Sequence, residues 1–358
     1  MPSDDFWKNF GSAGLLQAID DALAGLPQPP DRIAVALSGG ADSAMLAVHA
    51  AILARRNKLT LHFFHVHHGL QAAAAQWQGH VHDLAHWLRV PCHSRQVRVD
   101  LSAGAGMESA ARDARYEALC SMAAQTGVGH ILLAHHRNDQ AETVMLRLLR
   151  GSGPTGLAAM APTMKREGLT YLRPWLDVDR ADILEQAGQF FSLSAWAPVD
   201  DPSNANDKYT RAAVRERLVP VLNERWPGWQ GIVLRHARQS AEMQQVLDEV
   251  AAQDFAGLSP AADARSFSLA GWRLLSAARQ ALVLRYWLAL HGLRMPSDAR
   301  LQDVMRQLRG LHAMGHDRQM QVKHGPVWIR CIQGRVLLDT AVAAPACLPA
   351  ENSNGEKR

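Results

Sequence analysis

The sequence has few cysteines and no uninterrupted apolar run of membrane length. Its four cysteines lie far apart among 358 residues and form no Cys-x-x-Cys pair. This excludes a zinc ribbon, a thioredoxin-type motif and an iron–sulfur cluster held by such a pair. Charges or histidines interrupt every apolar stretch, so no membrane-spanning helix is predicted. The start, MPSDDFWKNF, lacks the basic and then apolar pattern of an export signal, and we expect a cytoplasmic protein with no membrane partner.

The net charge of the chain is small, but its basic excess is unevenly distributed along the sequence. The net charge is +4, whereas residues 211–309 contain 14 Arg, no Lys and 9 Asp plus Glu, which gives 14 − 9 = +5. Guanidinium groups fork onto phosphate and base-edge oxygens, so this excess is typical of an RNA contact. Arginines that solvate amphipathic helices would give the same count, and charge alone leaves both interpretations open.

The first half of the chain alternates short apolar runs with amphipathic segments. This βαβ alternation predicts an α/β fold, in which a parallel sheet carries helices on both faces and binds ligands beyond the carboxyl ends of its strands. Pro227 and Gly228 indicate a domain boundary. We predict a catalytic domain over residues 1–225, a smaller, mainly helical domain over 226–335 and a disordered tail over 336–358.

A glycine pair follows the first apolar run, in the stretch SGGADS, and a helical pattern comes next. Gly39 and Gly40 allow the backbone to approach an anion, which the amides of the following helix attract. No lysine follows, so this is not a Walker-type loop, and the Asp42 carboxylate suits a phosphate-bound Mg²⁺. The alternative is an ordinary strand-to-helix turn with a serine cap. We predict a phosphate-binding loop formed by Ser38, Gly39, Gly40, Ala41, Asp42 and Ser43.

A second glycine-rich stretch, GSGPTG at residues 151–156, satisfies the pattern G-x-G-x-x-G. It follows a predicted helix rather than a strand, so the dinucleotide-binding fingerprint lacks its required context. We interpret it as a helix C-cap and a flexible loop, not as a nicotinamide or flavin site.

Histidines and arginines mark two further stretches. In HFFHVHHGL, residues 62–70, no carboxylate or cysteine completes a metal site, so we expect His67 to border a nucleotide instead. In ESAARDARYEAL, residues 108–119, Glu108, Arg112 and Arg115 recur on one helix face. A solvated ion-pair stripe is the alternative for that face.

Acidic and imidazole groups gather in the stretch HHRNDQAET, residues 135–143. His136 follows a predicted strand, and Asp139 and Glu142 lie in the first turns of the next helix. Helix capping would explain either carboxylate alone but not the whole group. The sequence therefore predicts a reactive cluster at the edge of the sheet where the phosphate loop lies.

These stretches, together with HVHHGL, RGSGPTGLAAM, RPWLDVDR and DPSNANDKYTRAAVRERLVPVL, resemble those of the tRNA(Ile)-lysidine synthetases in the same order. This family belongs to the N-type ATP pyrophosphatases, and the similarity runs from about residue 31 to 222. The resemblance implies a PP-loop domain that uses ATP to adenylate the 2-carbonyl oxygen of the wobble cytidine in tRNA(Ile) with a CAU anticodon. Free L-lysine then displaces AMP, which switches the tRNA from methionine to isoleucine identity.

The resemblance also implies roles for residues of this sequence. ATP would bind the loop 38–43 and His67, with Mg²⁺ held by Asp42 through the phosphates. Arg211 and Arg215 would face the tRNA or the lysine carboxylate. The acidic groups would position lysine and accept its proton, and a homodimer is a further expectation. The implied catalytic residues are Asp139, Glu142, Arg112 and His136.

The sequence departs from the family pattern at two positions. Asn138 stands where the family has the first of two aspartates, so any duty of that carboxylate must move to Asp139. Ala212 replaces the asparagine of the family's RNxxR pattern. Longer relatives carry a further C-terminal domain, so recognition of the whole tRNA would use a reduced surface here.

Other functions share the phosphate loop. A tRNA thiolase would add sulfur through the same adenylation, but such enzymes usually need cysteines, and Cys-x-x-Cys is absent. NAD and GMP synthetases use small acceptors and need no arginine-rich domain. A non-catalytic tRNA-binding protein with a vestigial nucleotide fold is disfavoured by the intact SGGADS and DQAET.

Overall fold

The computed structural model describes residues 2–67, 74–97, 107–199, 210–311 and 320–340. The chain divides into two compact units, Met1–Ala241 and Glu242–Arg358. No helix in the described ranges is both long and apolar enough to cross a membrane.

A six-stranded sheet forms the centre of the first unit, in the order β3-β2-β1-β4-β6-β5. All neighbours are parallel except β5 and β6, which form an antiparallel hairpin. This confirms the predicted parallel α/β fold. The strands are β1 Arg32–Ala36, β2 Thr60–His67, β3 Cys92–Gln96, β4 His130–Leu132, β5 Thr163–Arg166 and β6 Leu169–Leu172.

Helices cover both faces of this sheet because their apolar faces need burial. One core cluster contains Trp175, Phe190 and the largely buried helix α3, and the other contains Tyr116 and Tyr171. A π-helical turn, Val214–Leu218, joins α9 to α10. The helices are α1 Asp4–Asn9, α2 Ala13–Ala24, α3 Ala41–Asn57, α4 Ala74–Leu88, α5 Met107–Thr126, α6 Arg137–Leu149, α7 Pro154–Leu157, α8 Arg180–Ser194, α9 Thr210–Ala213, α10 Val219–Arg225 and α11 Trp229–Gly257.

The strand order creates a crevice between β1 and β4. The chain passes from β1 to β2 on one side, and β4 pairs with β1 on the other. Ligands of open parallel sheets bind at such a switch point, beyond the carboxyl ends of the strands. The loop after β1 and the start of α6 after β4 both lie at this edge, so the fold brings the two predicted clusters together.

The second unit contains helices and a sheet that the sequence interpretation did not include. Its sheet has four antiparallel strands in the order β7-β10-β9-β8, which pack with the helices around Phe267, Trp272 and Trp287. Short strands such as MQVKH alternate apolar and polar residues too briefly to stand out. The elements are α12 Leu269–Leu274, α13 Ala277–Leu290, α14 Asp298–Gly310, β7 Ser266–Ser268, β8 Met320–His324, β9 Val327–Ile332 and β10 Arg335–Thr340.

Two predicted boundaries differ from the structure. The units divide inside α11, between Ala241 and Glu242, rather than at residue 225. Pro227 and Gly228 form only a turn before this helix, because a turn need not separate two cores. The tail was predicted from residue 336, but β10 continues to Thr340, since its residues pair with β9. Residues 341–358 of the predicted tail lie outside the described residues.

A buried histidine of α3 makes the stability of the first unit depend on pH. The His49 side chain is fully buried, its Nδ1 donates to the carbonyl of Met45 at 2.8 Å, and its Nε2 accepts from the amide of Ser12 at 3.3 Å. Burial lowers the pKa of His49 to about 4 from the ordinary 6.5. The unfolded chain therefore binds the extra proton first, so this stabilisation is complete above pH 6.5 and is lost as the pH falls towards 4.

We expect denaturant unfolding to show a loss of about 2 kcal/mol from His49 between pH 7 and pH 5. A His49→Gln variant, which cannot take up this proton, should lose that part of the pH dependence. His86→Gln is the control, because His86 is exposed on α4 and should leave the slope unchanged. Equal slopes in wild type and His49→Gln would refute the assignment.

Candidate active site

The loop after β1 is shaped by hydrogen bonds among its own serines. Ser43 Oγ lies 2.9 Å from Ser38 Oγ, accepts from the Ser38 amide at 3.1 Å and donates to the Gly40 carbonyl at 3.1 Å. The cap residue of α3 is Gly40, and no side chain caps this helix. The serines thus brace the loop and leave the first amides of a 17-residue helix open to an anion.

Gly39 adopts a backbone conformation that other residues rarely take. Its φ is +98°, and an added Cβ would lie 3.2 Å from Cγ2 of Val81, which is fully buried. The Gly39 carbonyl also accepts a hydrogen bond from the Val199 amide at 2.9 Å. The loop can keep this shape only with glycine at position 39.

We expect Gly39→Ala to raise the KM for ATP by at least about 10-fold and to cost about 1–3 kcal/mol of stability. The backbone strain and the contact with Val81 both displace the loop. Steady-state kinetics with varied ATP measures the first effect and denaturant unfolding the second. Gly79→Ala in α4 is the matched control, because nothing lies within 4 Å of a Cβ there. An unchanged KM in Gly39→Ala would contradict the assignment of the loop.

The carboxylate of Asp42, in the first turn of α3, contacts Arg180 and His136 from other parts of the fold. Its Oδ1 accepts from Nε of Arg180, the first residue of α8, at 3.2 Å and lies 3.8 Å from Nε2 of His136. Burial alone would raise the pKa of Asp42, but His136 and Arg180 outweigh it and hold this pKa below its usual value. Asp42 is therefore a carboxylate at neutral pH, beside the open amides of the loop.

His136 caps helix α6. The Asp139 amide donates to His136 Nδ1 at 3.4 Å, and the His136 amide donates to Asp139 Oδ2 at 3.2 Å, which forms a capping box. Because Nδ1 accepts, the ring proton lies on Nε2, which faces Asp42 and Asp139 at 3.8 and 3.4 Å. The imidazole, which is buried, thus connects the phosphate loop to the carboxylates of α6.

Two arginines bind these carboxylates. Arg211 lies in α9, and Arg215 lies in the π-helical turn that follows it. Arg215 holds Glu142 with Nε to Oε1 at 2.8 Å and Nη2 to Oε2 at 3.0 Å. Arg211 reaches Glu142 Oε2 and Asp139 Oδ1, each at 2.9 Å. Asp42, Asp139 and Glu142 therefore face three guanidinium groups, those of Arg180, Arg211 and Arg215, and the charges in the cluster balance.

The two arginines fix the charge of Glu142. Burial raises its pKa, but the hydrogen bonds from Arg215 and Arg211 outweigh this and the net pKa is lowered. The hydrogen bond with Glu142 in turn raises the pKa of Arg215. The Glu142 side chain is only 5% exposed, whereas the guanidiniums are about one-third exposed. Glu142 is thus a buried carboxylate that is ionised at neutral pH and is paired with two partly exposed guanidiniums.

A second group of arginines surrounds Tyr116 on α5. The guanidinium carbons of Arg112 and Arg115 lie 5.8 and 5.6 Å from its ring centroid. Arg173 is buried after β6 and its Nε donates to Nδ1 of His135 at 3.2 Å. Burial and Arg173 lower the pKa of His135 to about 3. His135 is therefore neutral, with its ring proton on Nε2, among positively charged arginines.

The predicted site residues fall into three places. The loop 38–43 and the residues His136, Asp139, Glu142, Arg211 and Arg215 form one connected network. Arg112 lies in the separate arginine group. His67 ends β2, the strand beside β1, and belongs to the same sheet edge. The side chain of Glu108 is not described.

Arg180 and Arg173 were not predicted as site residues, and His135, although it lies in the predicted cluster HHRNDQAET, was not assigned a role. Arg180 and Arg173 both come from the stretch RPWLDVDR, which was noted only as part of the family pattern. The short spacing between them, with Asp179 capping α8 through the Ala181 amide at 3.0 Å, is the signal that could have placed Arg180 at the site.

The departures from the family pattern occupy defined environments. Asn138 Oδ1 accepts from the Arg180 amide at 3.4 Å, so the amide side chain supports the residue that binds Asp42. Ala212 is buried and lies in the chain between Arg211 and Arg215 of the network.

The GSGPTG stretch follows helix α6, and Arg147 Nη1 donates to the carbonyls of Gly156 and Ala159 at 2.7 and 2.8 Å. That loop is thus ordered by α6, and Gly153 caps the short α7.

Among the described residues, no group of three or more His, Cys, Asp or Glu side chains is placed to hold a metal ion. The available donor is a carboxylate oxygen of Asp42 beside the open loop amides. This donor set fits Mg²⁺ that is bound chiefly by phosphate oxygens.

Comparison with solved structures shows the fold of the first unit. The U34-tRNA thiolase NcsA from Methanococcus maripaludis with its [4Fe-4S] cluster superimposes with a TM-score of 0.52 at 16% identity, over 64% of this chain and 78% of that chain. At this identity the likeness shows a shared fold and nothing finer. Cys92 and Cys120 are free cysteines.

Comparison with family profiles and curated proteins gives the family. The PP-loop domain matches residues 14–222 and the TilS substrate binding domain matches residues 267–337. The tRNA(Ile)-lysidine synthase of Bordetella bronchiseptica is 57% identical over 327 residues, 91% of this chain and 95% of the relative. That of Bordetella pertussis is 58% identical over 318 residues, 89% and 99% of the two chains. A longer relative from Ralstonia nicotianae is 43% identical over 83% of this chain and 64% of its own length.

Both domain profiles match this chain, one after the other, and the relative from Bordetella bronchiseptica is 57% identical over 91% of it. These matches agree with the phosphate loop and the α6 cluster that the fold brings together. This chain belongs to the tRNA(Ile)-lysidine synthase family.

Proposed function

We propose that this protein joins free L-lysine to C2 of the wobble cytidine of tRNA(Ile) with a CAU anticodon. ATP is consumed, and AMP and pyrophosphate are released. The observation that carries the proposal is the continuous network from Asp42 in the phosphate loop, through His136, to Asp139 and Glu142. Such a network suits a reaction whose two halves share one site: activation of a base by ATP and attack by an amine.

The first half-reaction uses the loop after β1. The 2-carbonyl oxygen of cytidine attacks the α-phosphorus, the α–β bridging bond breaks, and pyrophosphate leaves with the negative charge. The open amides of α3 and the positive end of its dipole stabilise that charge. Asp42 would hold a phosphate-bound Mg²⁺ through a carboxylate oxygen, and the ion would supply further neutralisation of charge on the leaving group. His67, at the neighbouring strand end, borders the nucleotide.

Free lysine fits the balanced cluster on α6. Lysine brings an ammonium and a carboxylate, and the cluster offers Asp139 and Glu142 to the first and Arg211 and Arg215 to the second. Exchange of the internal ion pairs for pairs with the ligand leaves no buried charge without a partner. This charge match supports lysine over a neutral acceptor such as ammonia, and over a sulfur donor.

The second half-reaction forms the new bond. The ε-nitrogen of lysine, after losing a proton, attacks C2, and the C2–O bond breaks with AMP as the leaving group. The low pKa of Glu142 makes this residue a binder of the ammonium rather than the base. Asp139 and His136 lie beside it and take part in the proton transfer. Arg112, in the arginine group around Tyr116, stabilises the phosphate or the activated base.

The proposal extends to the setting of the protein. A cytoplasmic location supplies tRNA, ATP and lysine together. A homodimer is supported by apolar side chains on one face of α8, where Leu184 and Phe191 are 43% and 49% exposed. Light scattering measures the mass directly, and a monomer at micromolar concentration would remove this part of the proposal.

The deciding experiment mixes purified protein with transcribed tRNA(Ile) carrying a CAU anticodon, ATP, Mg²⁺ and radiolabelled lysine. Label should enter the RNA only when every component is present, and a CAU→GAU anticodon transcript should accept none. Incorporation of sulfur or ammonia in place of lysine, or no transfer at all, would overturn the proposal.

A further inference from the structure

A small cleft in the second unit lies where the α12–α13 connection meets the end of α14. Its volume is about 350 Å³, and it is lined by Arg273, Ala277, Gln280 and Arg309. Two of these four residues are arginines, and none is acidic. The cleft is contained within the second unit, so its geometry is independent of the active site.

Arg273 is held in place by the end of a helix. Its Nε and Nη2 donate to the Leu308 carbonyl at 3.2 and 2.6 Å, and Nη2 also donates to the Arg309 carbonyl at 3.0 Å. These carbonyls in the last turn of α14 have no helical partner, and a cation is favourable there. Helix capping accounts for the hydrogen bonds of Nε and Nη2. The remaining nitrogen, Nη1, has no acceptor among the described residues.

Gln280 braces both arginines. Its side chain is buried, and its Nε2 donates to the carbonyls of Arg273 and Leu275 at 3.2 and 2.9 Å. Its Oε1 accepts from Nε of Arg309 at 2.7 Å. The two guanidiniums are therefore fixed before any ligand binds, which reduces the entropy that binding would cost.

Neighbouring arginines are neutralised, but this pair is not. Arg279 pairs with Asp254 at 2.8 Å, and Arg306 contacts Asp303. The acceptors of Arg273 and Arg309 in the described residues are carbonyl and amide oxygens only, so two positive charges remain at one cleft. Ala277, the first residue of the 14-residue α13, adds a helix amino end to the same wall.

We infer that Arg273 and Arg309 form a phosphate subsite that holds the sugar–phosphate backbone of the RNA substrate. The inference rests on the proposed function for the identity of the RNA. Nη1 of Arg273 and the two Nη groups of Arg309, which have no acceptor among the described residues, can donate to the oxygens of one phosphodiester. Leu274, which follows Arg273 in the chain, is 89% exposed, so an apolar side chain is available to solvent next to one of the two arginines. The contact positions the RNA and carries no sequence information.

The test is direct binding of transcribed tRNA(Ile) to the full chain across a range of salt concentrations, without ATP or lysine. Arg309→Gln should weaken binding about 5- to 10-fold and lower the slope of log K against log salt by about 1. A second tRNA of different sequence should lose the same factor. Arg309→Lys should weaken binding less and keep the slope, because the charge stays and the fork is lost.

Arg306→Gln is the matched control, since Arg306 lies on the same helix and already contacts Asp303. It should bind like wild type. Unchanged affinity and slope in Arg309→Gln would overturn the inference, and so would an equal loss in Arg306→Gln. Binding is measured without catalysis. A failure of lysine transfer would therefore count against the proposed function, and the binding result could still be interpreted.

Discussion

Replacing Asp42 with alanine is expected to reduce tRNA-dependent pyrophosphate release by at least about 100-fold while tRNA affinity is unchanged. Asp42 is the only carboxylate placed by α3 beside the open loop amides in the described residues, and Arg180 and His136 keep it ionised. Without it, the proposed phosphate-bound Mg²⁺ would lose its protein oxygen, and the Arg180 guanidinium would be left uncompensated beside the loop. Single-turnover release of labelled pyrophosphate measures the effect.

Asp182→Ala provides the matched control for this experiment. Asp182 is exposed in the first turn of α8, two residues from Arg180, so it tests the loss of a nearby carboxylate outside the network. It should release pyrophosphate like wild type. Asp42→Asn, which keeps the side-chain shape, should lose nearly as much activity as Asp42→Ala. Normal release in either Asp42 variant would show that the loop does not serve ATP cleavage.

Glu142→Gln is expected to reduce lysine incorporation at low lysine concentration by about 100-fold, or about 2.7 kcal/mol. The variant keeps the volume of the side chain but loses the charge that we propose binds the lysine ammonium. Pyrophosphate release should fall much less, because the loop and Asp42 are intact. Measuring both half-reactions on the same preparation separates a lysine-binding role from a general loss.

The variant also leaves Arg211 and Arg215 with one carboxylate, Asp139, so stability must be followed alongside activity. Breaking a pair of this kind costs about 3 kcal/mol when fully buried and less here, because the guanidiniums are partly exposed. Glu185→Gln, on the exposed part of α8, is the control and should change neither half-reaction. An equal fall in both half-reactions for Glu142→Gln would assign Glu142 to ATP rather than to lysine.

The sequence predicted the first unit well because its signals are local. A buried strand followed by SGGADS and a helical pattern is enough to place the loop, since β1 and α3 are adjacent in the chain. The capping of α6 by His136 and Asp139 also lies within four consecutive residues, but capping was considered there only as an alternative explanation for either carboxylate. Periodicity alone also gave the parallel sheet, although the β5–β6 hairpin at its edge was not predicted.

What the sequence could not show depends on contacts between distant segments. Arg180 meets Asp42 across 138 positions, and Arg211 meets Glu142 across 69. No local pattern encodes such pairs, so the arginines could be counted but not assigned partners. In the sheet of the second unit, β7 likewise pairs with β10, from which three helices and two strands separate it in the chain.

Helix α11 has a practical consequence for anyone who builds chimeras from this family. The two cores part at Ala241, in the middle of a continuous 29-residue helix. A cut at that point would leave amides and carbonyls of the new ends without intrahelical partners, about four on each side. Exchange of the second module with that of a longer relative is therefore better made at the Pro227–Gly228 turn, where the chain already leaves helical geometry and no ladder of hydrogen bonds is severed.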